Sequence, residues 1–543
     1  MRRLLQDPIA LLLILFSIFL FVTFVVWPLI NLVWGSLFVR EEISLNNYVK
    51  FFSDPPLNRS LFNTLFMCAV SSLSSLFLGF LFAYLVVRTD VPGKRIFEAT
   101  AILPIISPPF VVGLSFILLF GRRGFFTYGL FGQEFEIYGW HGLWAVQTLT
   151  FFPLAYLLIV GVLRALNPSL EYAAHNLGAN GREAFRTVTL PLLMPGLLGA
   201  SLLVASSVLA DFGNPLLIAG DFRVLPTEAY AWVMGLGNYE MASALCVFLL
   251  IPAIVFFFLQ DYWLRRRSYI TIGRTYSPLG TRPINKWIKW FVFIACLAVV
   301  VLLWLIYGGI FFGGIVKTWG VDYSLTSENL WYVVGRAPAL RNALIFAGAT
   351  GLINGILGVI VAYLISRKEF LGRRAIDLLS VLSFAIPGTV MGIGFVLAFN
   401  KPPLLIHGTA WAILLNMIIR ELPVGVRAGK ASFEQISPSI EEASANLGAN
   451  TGQTLIRINL PLLKTAFTGG LVYSFIRSIN TVSSVIFLVT PRWNVATTFI
   501  LGLAEHAYWG YAAALSSTLI LITIGALMLF RFTFGKKAQL FQI

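Results

Sequence analysis

Two short polar segments of this chain carry residues suited to contact rather than to catalysis. The first is Glu171-Tyr172-Ala173-Ala174-His175-Asn176-Leu177-Gly178, followed by Leu190-Pro191-Leu192-Leu193. The second is Glu441-Glu442-Ala443-Ser444-Ala445-Asn446-Leu447-Gly448, followed by Leu460-Pro461-Leu462-Leu463. Matched positions are 270 residues apart. In each, a Pro and an acidic residue near the start favour a short helix. Ala173, Ala174, Ala443 and Ser444 keep its surface small, and Gly178 and Gly448 suit a left-handed helix end. A compact helix–turn–helix of this kind fits a groove on a partner protein, and two matched copies predict two docking points.

A second set of residues lies inside long apolar runs. Asp211 and Arg477 are charges at a depth where lipid would exclude them, so they are expected to face a protein interior or a water-filled route. At the repeat offset, Asp211 matches Thr481 and Arg477 matches Ser207, one helical turn apart on equivalent helices. A pair between Asp211 and Arg477 across the two halves is expected, with Ser207, Asn214, Asn480 and Thr481 lining a polar path or gate. Arg420 and Glu421 read as the inner end of a span, at its interface with water. Catalytic signatures are missing from the sequence. No His/Cys/carboxylate set has metal-ligand spacing, and no nucleophile–base pair stands out. Gly425-Val-Arg-Ala-Gly429-Lys430-Ala431 has the wrong spacing for a phosphate-binding loop. The chain is read as non-catalytic and holding no cofactor or metal, with its energy supplied from elsewhere.

The elements that must position these residues are membrane helices. The chain has 58% hydrophobic and 12% charged residues, and a mean hydropathy of +0.83. Apolar runs of about 20 residues recur, long enough to cross a bilayer. About twelve spans are expected, at 9–34, 61–87, 96–120, 140–163, 192–219 and 243–264, then 288–312, 342–365, 376–399, 409–426, 465–489 and 511–534. The net charge of +15 comes from 39 Lys and Arg against 24 Asp and Glu. Most basic residues fall in alternate inter-span segments, which puts both termini and both repeated motifs in the cytosol and removes any need for a nucleic-acid partner.

The repeat extends beyond the motif. Asn63, Gly79, Ala83-Tyr84, Arg88, Gly93, Pro108 and Gly113 return as Asn342, Gly358, Ala362-Tyr363, Arg367, Gly372, Pro387 and Gly392, 279 residues on. The reading is an all-α polytopic membrane protein of two parallel six-helix repeats, related by a pseudo-two-fold axis along the membrane normal. Residues 1–264 form the first half, 265–288 a cytosolic linker and 289–543 the second half.

The pattern Glu-Ala-Ala, three residues, Gly, then Leu-Pro resembles the signature of binding-protein-dependent ABC importer permeases. The chain is similar to their fused two-half members, particularly the ferric iron branch, whose likeness extends to Asp211-Phe-Gly-Asn-Pro-Leu-Leu-Ile218 and Phe222-Arg-Val-Leu-Pro-Thr227. The resemblance implies that Glu171, Tyr172, Ala173, Ala174, Gly178, Glu441, Glu442, Ala443, Ser444 and Gly448 form coupling helices. These would seat in two copies of an ATPase subunit, which uses ATP and Mg. It further implies a periplasmic or extracellular solute-binding protein and a bacterial inner-membrane location. Ferric iron is the leading solute. Phosphorylated or phosphonate solutes, polyamine and thiamine remain open, and an ion-coupled secondary transporter is the reading of a different class. Where the family pattern has an acid directly before the alanine pair, Glu442 supplies it in the second copy, but Tyr172 stands in the first. The two contacts are therefore expected to differ in strength.

Overall fold

The computed structural model describes residues 7–39, 42–266 and 286–534. Most of the expected linker, from Arg267 onward, lies outside them, as do Arg2, Arg3, Lys536 and Lys537. The chain is mainly helical. The helices that matter for the site are α1 (Pro8–Ser36), α2 (Pro55–Arg88), α3 (Lys94–Ile106), α4 (Phe110–Phe120), α5 (Trp140–Ala165), α6 (Pro168–Asn176), α7 (Leu190–Leu209) and α8 (Tyr239–Arg266). They continue with α9 (Lys286–Gly313), α10 (Ala337–Arg367), α11 (Arg373–Ala385), α12 (Gly388–Phe399), α13 (Ala410–Gln435), α14 (Ser439–Asn446), α15 (Lys464–Ile479) and α16 (Trp509–Phe534).

Among the described residues, nine helices are long and apolar enough to cross a bilayer. A tenth span results if α11 and α12, bent by 112° at their junction, count as one. The shortfall against about twelve has local causes. α13 is 26 residues long but carries Arg420, Glu421, Arg427, Lys430 and Glu434. α15 has only 16 residues, because the chain leaves the helix at Asn480. Two features were not foreseen: small antiparallel hairpins, Phe38–Val39 with Glu42–Ile43 and Val316–Thr318 with Asp322–Leu325, which follow α1 and α9.

Each half is built on three mutually packed helices, α2, α5 and α7 in the first and α10, α13 and α15 in the second. The repeated glycines explain the close crossings. A Cβ at Gly79 would lie 2.7 Å from the Tyr156 amide nitrogen of α5, and one at Gly358 would lie 2.8 Å from the Gly425 Cα of α13. Small residues let membrane helices approach backbone to backbone in this way. The repeated asparagines tie these helices to loops: Asn63 Nδ2 donates to the Arg223 carbonyl at 2.9 Å, and Asn342 Nδ2 to the Asn494 carbonyl at 3.1 Å.

The first helix of each half packs both on the last helix of its own half, α8 or α16, and on the other half. α1 lies against α12, where Gly394 approaches Pro28, and its lower part packs on Val359, Tyr363 and Phe433 through Ile14. α9 lies against α3 and α4, where Tyr307 meets Ser107 at 2.6 Å and Ser115 donates to the Ile306 carbonyl. Gly394 and Ser115 are repeat equivalents. The exchange interlocks the halves through matched contacts.

Candidate docking helices and translocation route

The first motif forms α6 as its residues predict. Asn167 caps it by accepting from the Ser169 amide at 3.0 Å, and Gly178, at φ +90°, ends the turn that follows it. Glu171 does not face outward. It is buried and holds Arg88 of α2 in a two-pronged pair at 3.0 and 3.2 Å, while Thr189 donates to it at 2.6 Å. The second motif forms α14 and turns at Gly448, φ +84°. There Glu441 accepts from Arg367 Nε at 3.1 Å, and Arg367 also donates to the Phe433 and Ile436 carbonyls. The repeated arginines and the first acid of each motif are thus one device, which fastens each motif helix to the end of a long helix. Both acids turn toward their own chain and tie the motif to it.

The outward faces are different residues. Tyr172 and Ala173 are exposed in the first copy, and Glu442 and Ala443 in the second. Ala174 is half-buried, and Ser444 is buried and hydrogen-bonded to Thr454 at 2.9 Å. At the tips stand two residues to which sequence reasoning gave no role. Leu177 is 90% exposed and Leu447 is 89% exposed. Their shared place before the glycine was the available signal. Two nearly bare leucines at matched polar tips are a feature that a partner groove would bury.

The route residues group differently from the expectation. Asp211 follows the end of α7 and is buried. Its Oδ2 accepts from Gln147 Nε2 at 3.0 Å and from Asn214 Nδ2 at 3.1 Å. Arg477 lies 3.7 Å, Nε to Oε2, from Glu421 on the neighbouring α13. The expected Asp211–Arg477 pair is not formed, because each charge meets polar groups of its own half first. Glu421 is corrected too: α13 runs on to Gln435, so Arg420 and Glu421 sit mid-helix, and the Glu421 side chain is only 4% exposed. Asn480 does cross between halves, donating to the Ile106 carbonyl at the break between α3 and α4, at 2.9 Å. Ser207 bonds back to its own helix at the Leu203 carbonyl, and the Thr481 carbonyl accepts from Thr497. Ser207, Arg477 and Thr481 are partly open, whereas Asp211, Asn214 and Asn480 are buried.

A multi-pass helical protein with an internal repeat and two matched short polar helices is the class so defined. The chain belongs to the family described as "Binding-protein-dependent transport system inner membrane component", which matches residues 75–269 and 354–534. It is 35% identical over 539 residues to the ferric transport system permease protein FbpB of Actinobacillus pleuropneumoniae, covering 97% of this chain and 78% of that one. It is 34% identical to the putative ferric transport system permease protein FbpB 1 of Haemophilus influenzae, covering 90% and 79%. A solved bacterial ABC transporter for alginate import aligns with 18% identity and a TM-score of 0.41, covering 49% of this chain and 98% of the other.

Proposed function

We propose that the chain is the fused permease subunit of an ATP-driven importer for ferric iron. The observation that carries the solute is the likeness, over nearly the whole chain, to two ferric transport permeases. Residues 1–264 and 289–543 act as its two halves, joined by 265–288. They supply twelve passages through the bilayer about a pseudo-two-fold axis, with both termini in the cytosol. The bent pair α11–α12, the charged α13 and the short α15 then count as passages lined by protein rather than lipid.

Two ATPase subunits dock at α6 and α14, one on each. Leu177 with Tyr172 and Ala173, and Leu447 with Glu442 and Ala443, form the contacts. Glu171 and Glu441 transmit the motion of each docking helix to α2 and α10 through Arg88 and Arg367. ATP and Mg are handled by those subunits, and this chain moves the solute that a separate binding protein delivers. Ser207, Arg477 and Thr481 face the route, while Asp211, Asn214 and Asn480 brace it. Co-purification with the ATPase tests the reading. Two copies per chain are expected, and a stable complex with one copy or none contradicts it.

A further inference from the structure

The second half holds a polar cluster that docking does not use. Arg420 lies about 15 Å along α13 from Ala410, and Arg477 about 20 Å along α15 from Lys464, so both stand well inside the membrane-spanning part. The Arg420 Nε and Nη1 atoms are buried and have no hydrogen-bond partner among the described residues. The Arg477 Nε and the Glu421 Oε2 are in the same condition, their 3.7 Å separation being too long for a hydrogen bond. Arg420 and Ser483 meet over Gly388, where a Cβ would fall on both the guanidinium Nη1 and the serine Oγ. Gly388 also opens α12, so the positive end of that helix dipole adds to the arginines.

One carboxylate here serves two guanidinium groups, Arg477 beside it and Arg420 only through space, which leaves positive charge and unused N–H donors. The cluster is also open on one side. The Arg477 side chain is 40% exposed although it stands mid-span. A charge at that depth turns toward water rather than lipid, and Ser483 and Thr481 are partly open beside it. The cluster is not required to hold the helices together. At the repeat offset the first half has Thr150, Phe151, Ser207 and Gly213 in place of Arg420, Glu421, Arg477 and Ser483, yet builds the same three-helix unit.

We propose that Arg420 and Arg477, with Ser483, bind a phosphate-type oxyanion in the route, either free or as a ligand of the ferric ion. Guanidinium forks match tetrahedral oxyanions in geometry as well as charge. A bare trivalent cation would be repelled at this point, so iron passing it must carry anionic ligands. The proposal rests on the importer reading for its physiological sense, but not for the binding itself.

The test is equilibrium dialysis of radiolabelled inorganic phosphate against the full chain in phosphatidylcholine nanodiscs. Saturable binding is expected, weakened about tenfold or more in Arg420→Gln and in Arg477→Gln, which each remove charged hydrogen bonds. Arg477→Lys, which keeps the charge but not the fork, should fall between, and it serves if a glutamine variant fails to fold. Arg122→Gln, on a distant exposed pair with Glu136, should bind as the parent does. Absent binding, or binding unchanged in both glutamine variants, overturns the site. Binding lost in phosphatidylglycerol nanodiscs assigns the cluster to a lipid headgroup and also overturns it. ATP-driven ferric uptake by the assembled transporter separates the two claims. Phosphate binding without uptake defeats the importer reading alone; uptake without phosphate binding defeats the oxyanion site alone.

Discussion

Glu171 and Glu441 occupy matched places but are held unequally. The Arg88–Glu171 side chains are 10% and 7% exposed, and the pair is two-pronged. Arg367 keeps two carbonyl acceptors even without its acid. Breaking one partner of a buried pair costs about 3–5 kcal/mol, so Glu171→Gln should lower the melting temperature of the purified chain clearly more than Glu441→Gln. Equal shifts would show that burial does not set the difference. At the outward face, Glu442→Ala should impair transport more than Tyr172→Ala, because only the former removes a charge from the docking surface; the reverse order in an uptake assay would refute that assignment. The motif's existence was legible from its recurrence at a fixed offset. The inward turn of Glu171 was not, because a helix of nine residues offers no periodicity long enough to tell an anchored face from a docking face. The Asp211–Arg477 expectation failed for a related reason: repeat matching gives level along a helix, but not which neighbouring helix, here carrying Gln147 or Glu421, is nearer.

At the scale of elements, the exchanged helices α1 and α9 end in latches of opposite polarity. Asp7, before α1, binds Lys368 Nζ of the second half at 3.0 Å and accepts from Thr451, just past the second docking helix. Lys289, on α9, binds Asp90 of the first half at 2.6 Å. Docking either helix on its own half would bring Asp7 toward Asp90 and Lys289 toward Lys368, so the charges select the exchanged arrangement. Asp7→Lys should reduce the yield of correctly assembled protein, and adding Lys368→Asp should restore it, read by a cysteine cross-link between Ile14 and Val359 positions. Failure of the double variant to recover would remove the charge argument. The latch also has a pH signature. Burial raises the Asp7 carboxyl, but hydrogen bonds from Thr451 and Lys368 outweigh it and hold the group below its ordinary 3.8. Its contribution to stability is therefore complete above that value and lost as pH falls through the lower folded-state value. An Asp7→Asn variant should melt below the parent at neutral pH and converge with it only in stronger acid. Convergence already at pH 6 would contradict the assignment.

Across the whole molecule, much of the architecture could be read in advance because the bilayer restricts it. Long apolar runs, alternating basic segments and a doubled set of glycines, asparagines and arginines pointed to membrane helices in two related halves. Asn63 with Asn342, Gly79 with Gly358 and Arg88 with Arg367 each prove to make the same kind of contact twice. The exchange of α1 and α9 was hidden, since an apolar helix does not announce which partner it packs on. So were the breaks at Ser107 and Pro387, where hydropathy runs on although the backbone turns. On the proposed reading, two docking helices on one chain pass an external motor's work to a solute route. The most direct measurement is ferric uptake into vesicles holding the chain, the ATPase and the loaded binding protein. Uptake should require ATP and should vanish in Leu177→Asp with Leu447→Asp, which, both leucines being exposed, should fold but fail to retain the ATPase. Uptake that persists without any ATPase would contradict the account.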